Sequence, residues 1–225
     1  MQKLKAAFIA IFLILALPVH KSYSENIFKT FKFDKENALN EWKEKIFKNK
    51  VFYNVKPNQS GGFLSAESIR SCSGLFYKIR FNPRIYPMIS WKWKVIKFPN
   101  KNKTKSSEGG WLEKDDYSAR VYVIFPSISF KNTKCIEYVW DENLPEGTIM
   151  TSPYMKNIKI IVIESGKENI NNWVHEERNI PEDYINAFGK NPPHVGAIAL
   201  MTDADNTLST AEALYAEIKV RYKNE

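Results

Sequence analysis

Cysteine, histidine and glycine are scarce in this chain of 225 residues, which has two cysteines, three histidines and nine glycines. His20, His175 and His194 are far apart, and there is no Cys-x-x-Cys or His-x-x-x-His spacing, which argues against a structural zinc site. No Gly-x-Ser-x-Gly elbow is present to expose a nucleophilic serine. Internal repeats and low-complexity tails are also missing. Cys72 and Cys135 leave two readings open: an oxidising compartment would let them form a disulfide worth about 4 kcal/mol in the chain-entropy model, or they are two separate buried thiols.

One long apolar run exists, Ala6 to Leu17, preceded by Lys3 and Lys5 and followed by Pro18 and the small residues Ser22 and Ser24. A basic start, an apolar core too short to span a bilayer and a small-x-small site predict a signal peptide over residues 1–24, cleaved before Glu25. The chain is therefore expected in the periplasm or outside the cell, as one domain over residues 25–225 with no transmembrane segment after cleavage. No cysteine at the cleavage point offers a lipid anchor. The net charge of +8 includes three lysines of that leader. The remaining basic residues, at Lys92, Lys94, Lys97 and the Lys101–Lys105 loop, suit solubility or an anionic envelope polymer. Nucleic acid is not an expected partner, since no recognition module is present.

Beyond Glu25, aromatic and β-branched runs recur between Asn, Gly, Pro and Lys clusters, the pattern of an all-β two-sheet sandwich. Strands are predicted over Ile27–Phe33, Ile46–Val55, Gly62–Ile69, Cys72–Phe81, Met88–Lys97, Tyr117–Phe125, Lys134–Trp140, Ile158–Glu164, Asn172–Asn179, Val195–Thr202 and Ala213–Tyr222. Two short helices are expected, one capped by Asp34 and running to Trp42, the other opened by Pro181 and closed by Gly189. Alternation puts Trp91, Trp93 and Val95 on one face, a core pair of tryptophans, with Lys92 and Lys94 outward. It puts Tyr117, Ala119, Val121, Val123 and Phe125 inward and Arg120 away from the core. The segment Lys97–Lys114 reads as the longest loop.

Three clusters could carry chemistry. Asp115 and Asp116 precede Arg120, whose planar fork could serve a carboxylate, a phosphate or sugar hydroxyls, or tie a loop to the sheet as an internal ion pair. On a strand, Trp173, His175 and Glu177 share one face and Val174, Glu176 and Arg178 the other, so His175 and a carboxylate could act as acid and base, or His175 and Glu177 as two metal ligands. Asp203 and Asp205, with Asn206 and Thr207, offer hard oxygen ligands for Ca²⁺ or form a plain turn. An EF-hand is excluded, because the required glycine and glutamate are missing.

The segments Trp91–Val95, Asp115–Val123, Tyr138–Trp140, Glu177–Ile180 with Asp183–Tyr184 and Phe188–Gly189, and Ala199–Thr207 resemble, in order, the motifs of the bacterial family known as domain of unknown function 3047. The resemblance implies an exported bacterial protein and brings no activity with it. More loosely, Phe31–Asp34 with Trp42, Gly61–Leu64 and Ala216–Ile218 are similar to jelly-roll carbohydrate-binding, galactose-binding-like modules. That similarity implies a jelly-roll sandwich and a structural calcium near the chain ends, with Glu217 as its acid. The resulting expectation is a non-catalytic binding domain for a carbohydrate or other envelope polymer. Asp116, Arg120, Trp140, Glu177 and Arg178 would form its ligand surface, with Asp203 and Asp205 as metal ligands. The alternatives are a glycan-active lyase or hydrolase and a structural adaptor in an envelope complex.

Overall fold

The structure, a computed structural model, describes residues 27–58, 61–101 and 115–223. The predicted leader and most of the Lys97–Lys114 loop lie outside the described residues. Two packed sheets form a β-sandwich of jelly-roll type. The first contains β1 (Ile27–Phe31), β3 (Phe52–Lys56), β4 (Phe63–Ile69), β6 (Met88–Lys97), β11 (Val174–Asn179) and β13 (Thr210–Arg221), in the order β11-β6-β13-β4-β3. The second contains β2 (Trp42–Lys48), β5 (Cys72–Phe81), β7 (Ala119–Phe125), β8 (Lys134–Asp141), β9 (Ile149–Thr151), β10 (Ile158–Ser165) and β12 (Val195–Asp203), in the order β2-β5-β12-β7-β8-β10-β9.

β13 organises the first sheet. Its first half pairs with β4 and its last four residues pair with β1, so two strands share one of its edges. Between these halves its register with β6 shifts across Ala216–Lys219, and Glu217 adopts a left-handed φ of 48°. A non-glycine residue in that region is strained and marks a bulge that re-aims its side chain. In the second sheet β8 and β10 run parallel and the other ladders are antiparallel.

The predicted inward faces form the core. Trp91 and Trp93 are fully buried, edge-on to one another at 5.4 Å between ring centres, and reach Tyr138 and Trp140 of the opposite sheet at 5.3 and 6.1 Å. Truncating a core tryptophan of this kind costs about 3–5 kcal/mol. Tyr117 departs from the expected alternation. It crosses to the outer side of the second sheet and joins Val139, Ile160 and Val162 in a small separate core that Leu144 and Met150 cover.

The predicted strand Ile46–Val55 is two strands, because Asn49 turns the chain with a φ of 58°. The first helical segment is a short 3₁₀ turn over Glu36–Leu39, preceded by Lys35 rather than capped by Asp34, and Trp42 already belongs to β2. The second is α1 (Ile180–Phe188). The Asn179 side chain accepts from the Glu182 N–H at its start, and Gly189 closes it at a φ of 69°. Cys72 and Cys135 are free thiols. They sit on β5 and β8, three strand spacings or about 14 Å apart across the sheet and toward opposite ends of it, far beyond what a disulfide spans. No helix among the described residues is long and apolar enough to cross a membrane.

Candidate functional site

Arg120 does point away from the main core, but the small core over Tyr117 roofs it and leaves it 2% exposed. The expected solvent-facing arginine is therefore corrected to a buried one. Its five N–H donors all have acceptors: Nε to Asp203 Oδ1 at 2.9 Å, Nη1 to Glu137 Oε1 at 2.6 Å and Tyr122 Oη at 3.5 Å, Nη2 to the Asp115 carbonyl at 2.7 Å and Asp203 Oδ2 at 2.5 Å. A guanidinium has no sixth donor for a ligand. The Tyr117 ring stacks 4.6 Å from its Cζ. Asp115 is buried beside it, its Oδ1 without a hydrogen bond among the described residues and 3.9 Å from Arg120 Nη1. Burial pushes its carboxyl up to about 7 against the pull of Arg120, and Glu137 and Asp116 add to the rise.

The other expected ligand residues do not converge. Asp116 is fully buried and accepts from the Thr207 N–H and hydroxyl, both at 2.6 Å, and from the Asn206 N–H at 3.2 Å, so it fastens the 203–207 turn. Trp140 is sealed in the core and donates to the Gly166 carbonyl at 3.1 Å. Arg178 is held by Asp183 at 3.0 and 2.5 Å. Glu177 stands on the outer face and accepts from Arg221. Asp203 and Asp205 meet Cys72, with one ligand atom of each within 4.8 Å of the others. Arg120 already occupies both Asp203 oxygens, Lys48 pairs with Asp205 at 3.5 Å, and burial raises the Cys72 thiol so that it keeps its proton. Such donors suit internal cross-linking better than a hard cation. Glu217 is likewise matched by two ammonium groups, Lys92 at 3.1 Å and Lys219 at 2.9 Å.

An open groove lies elsewhere, on the outer face of the first sheet, with a volume of about 430 Å³. Trp173 and Phe63 form its apolar wall, and Lys92, His175, Glu217 and Asn58 supply polar groups. Trp173 is 40% exposed and meets Phe63 edge-on at 6.0 Å, and Lys94 Nζ lies 5.1 Å from the centre of its ring. The bulge at Glu217 turns that carboxylate into the groove across from Trp173. Gly62 makes the turn possible. It has a φ of 64°, its N–H donates to Asn58 Oδ1 at 2.9 Å, and a Cβ there would stand 2.1 Å from the Phe33 carbonyl oxygen. The expected face of Trp173, His175 and Glu177 is therefore present, and the first two residues line this groove. None of Trp173, His175, Glu217, Phe63, Lys92 and Asn58 was in the expected ligand set; the sequence signals for Phe63 and Lys92 were the Gly61-Gly62-Phe63 run and the outward basic face of β6, and Asn58 had none.

On the inward side of β11, Glu176 lies among aromatic groups. Its Oε1 is buried without a partner, as are the indole N–H groups of Trp91 and Trp93. Burial, reinforced by Glu164, pushes its carboxyl up to about 7, and the nearby Trp93 indole opposes the rise. Burial also raises the Glu164 carboxyl. His175 has no hydrogen-bonded carboxylate among the described residues, so it lacks the partner that a catalytic base would use.

Residues 40–219 match the family described as protein of unknown function DUF3047. No curated protein matches the chain. Among solved structures, the chain is similar to the family 11 carbohydrate-binding module of a cellulosomal cellulase of Clostridium thermocellum, at 11% identity and a TM-score of 0.45, covering 88% of this chain and 96% of that one. The family 30 carbohydrate-binding module of another cellulosomal cellulase of the same organism gives 8% identity and a TM-score of 0.44, covering 88% and 99%. A xyloglucanase domain of a Sinorhizobium fredii effector gives 12% identity and a TM-score of 0.44, covering 81% and 93%.

Proposed function

The chain belongs to the DUF3047 family of proteins of unknown function, and we propose that it is an exported, non-catalytic glycan-binding domain whose ligand lies in the Trp173 groove. One observation carries this reading: a partly exposed tryptophan, with Phe63 beside it, lines a groove that also presents the hydrogen-bonding side chains Asn58, Lys92, His175 and Glu217. A sugar ring has an apolar face of C–H groups and an edge of hydroxyls. An aromatic plate with donors and acceptors beside it complements both. Lys92 and His175 would donate to hydroxyl oxygens, Glu217 would accept, and Trp173 would stack. Glu177, two residues beyond His175 on the same face, extends the polar side. Asp116, Arg120, Trp140 and Arg178 then serve the scaffold that holds the sheets in place.

Trp173→Ala is expected to weaken retention on the glycan that the protein binds at least tenfold, about 1.4 kcal/mol or more, with an unchanged melting temperature. A glycan array followed by titration of the best ligand checks this. Equal binding by the variant, or no binding to any glycan by the parent, would remove the groove from consideration.

The Glu176 carboxyl favours a second reading. A carboxylic acid kept protonated near neutrality in an aromatic setting, with Glu164 close by, is what a hydrolase uses to protonate a leaving oxygen. Release of reducing ends from a bound glycan, abolished in Glu176→Gln but preserved in Trp140→Phe, would support it. A bound glycan that stays intact would leave the binding reading alone.

A further inference from the structure

The second sheet carries a groove of a different chemistry, about 640 Å³, where β5 and the start of β12 meet the end of β7. Lys78, Arg80 and His194 line it, over a floor that includes Pro126, Pro193 and Gly196. Lys78 and Arg80 stand on the exposed side of β5, while Tyr77 and Phe81 turn into the core. No carboxylate lines the groove, and among the described residues Lys78, Arg80 and His194 take part in no ion pair. The floor is closely fitted, since a Cβ at Gly196 would lie 2.5 Å from the Pro126 ring. Just beyond, Lys134 pairs in register with Phe125, the residue before Pro126, and Lys190 lies four residues before His194. Partial burial and the neighbouring Lys190 and Lys159 lower the Lys134 ammonium below its ordinary value, so this end of the molecule concentrates positive charge.

Like charges that converge on a concave surface repel one another and focus a positive potential there, a cost that a bound anion removes. A guanidinium and an ammonium side by side suit carboxylate or phosphate oxygens. No aromatic side chain lines the groove, so a neutral sugar would find no plate to stack on. We propose that this groove is a second glycan site, one that holds the anionic substituents of an acidic polysaccharide by charge, separate from the Trp173 groove on the opposite sheet. Two sites on opposite sheets allow one protein to engage two chains, or one chain twice. Linked sites of this kind gain avidity without any new contact.

Affinity electrophoresis in gels containing polygalacturonate (carboxylate) or a phosphomannan (phosphate) tests the proposal. The parent is expected to be retarded by at least one of them, and the polymer that retards it identifies the anion. The Lys78→Gln/Arg80→Gln double variant should lose about tenfold in affinity, and His194→Gln a smaller part. A control of equal charge change at exposed sites elsewhere, Lys35→Gln/Lys167→Gln, should bind as the parent does. Circular dichroism melts confirm that each variant is folded. Retardation by neither polymer overturns the proposal, as does an equal loss in the charge-matched control, which would indicate net charge alone. A loss confined to Trp173→Ala also overturns it while leaving the first groove in place.

Discussion

At the scale of single residues, Arg120 is the most constrained group in the molecule. Its five donors join β7, β8, β12 and the Asp115 segment, and its charge offsets Asp203 and Glu137. Arg120→Met leaves two carboxylates buried without their cation and is expected to destabilise the fold by about 3–5 kcal/mol in urea titrations. Arg120→Lys should recover only part of that, because an ammonium has three donors. Asp115 gives a pH signature. Its folded value of about 7 lies above the ordinary 3.8, so the folded state holds this proton more tightly. Its contribution to stability is fully present below about pH 4 and is lost as pH rises through 7. The drop in melting temperature between pH 5 and 8 should therefore be smaller in Asp115→Asn than in the parent. A drop of the same size in both would show that Asp115 ionises freely. The sequence revealed that Arg120 lies off the core face. It did not reveal the burial, because alternation assigns a face and says nothing about what covers it. The cover comes from Tyr117 leaving its expected side and from the segment around β9, whose three residues are too few for a periodic signal.

At the scale of elements, strand existence was legible wherever alternation ran for six residues or more. Trp91 and Trp93 on β6, and α1 between Pro181 and Gly189, followed from local chemistry alone. Breaks made by one residue were not legible: Asn49, with its left-handed backbone, divides one predicted strand into β2 and β3. The groove was illegible for a related reason. Its residues come from β6, β13, and β4 and β11 with the chain just before them, and only pairing between strands distant in sequence brings them together. Gly62 is the point where local conformation and the groove meet. Gly62→Ala combines an unfavourable φ with a clash against the Phe33 carbonyl, and more than about 1 kcal/mol of destabilisation is expected in thermal melts. Glycan affinity should fall with it, since the Asn58 side chain is anchored to the Gly62 N–H. Gly61→Ala, where no atom lies within 4 Å of the added methyl but φ is 114°, separates backbone strain from the clash. β2 shows how an edge is managed, with Lys43, Lys45 and Lys48 along a strand that has one neighbour, β5, among the described strands.

At the scale of the whole molecule, the two sheets divide the work. The first presents an aromatic groove, the second a cationic one, and the buried Trp91, Trp93, Tyr138 and Trp140 hold the sheets between them. The basic composition was legible from the start, but its location was not: the lysines singled out in the sequence, Lys92 and Lys94, border the aromatic groove. Lys78 and Arg80, which take part in no ion pair among the described residues, and His194 beside them gave no local signal. The antiparallel pairing of β1 with β13 sets Ile27 directly opposite Arg221. Tension between those two residues would therefore open the ladder like a zip, bond after bond, instead of loading all of its bonds at once. A domain stretched between these two ends would yield first at β1, and the strands that carry both grooves would still be folded after that strand had peeled away.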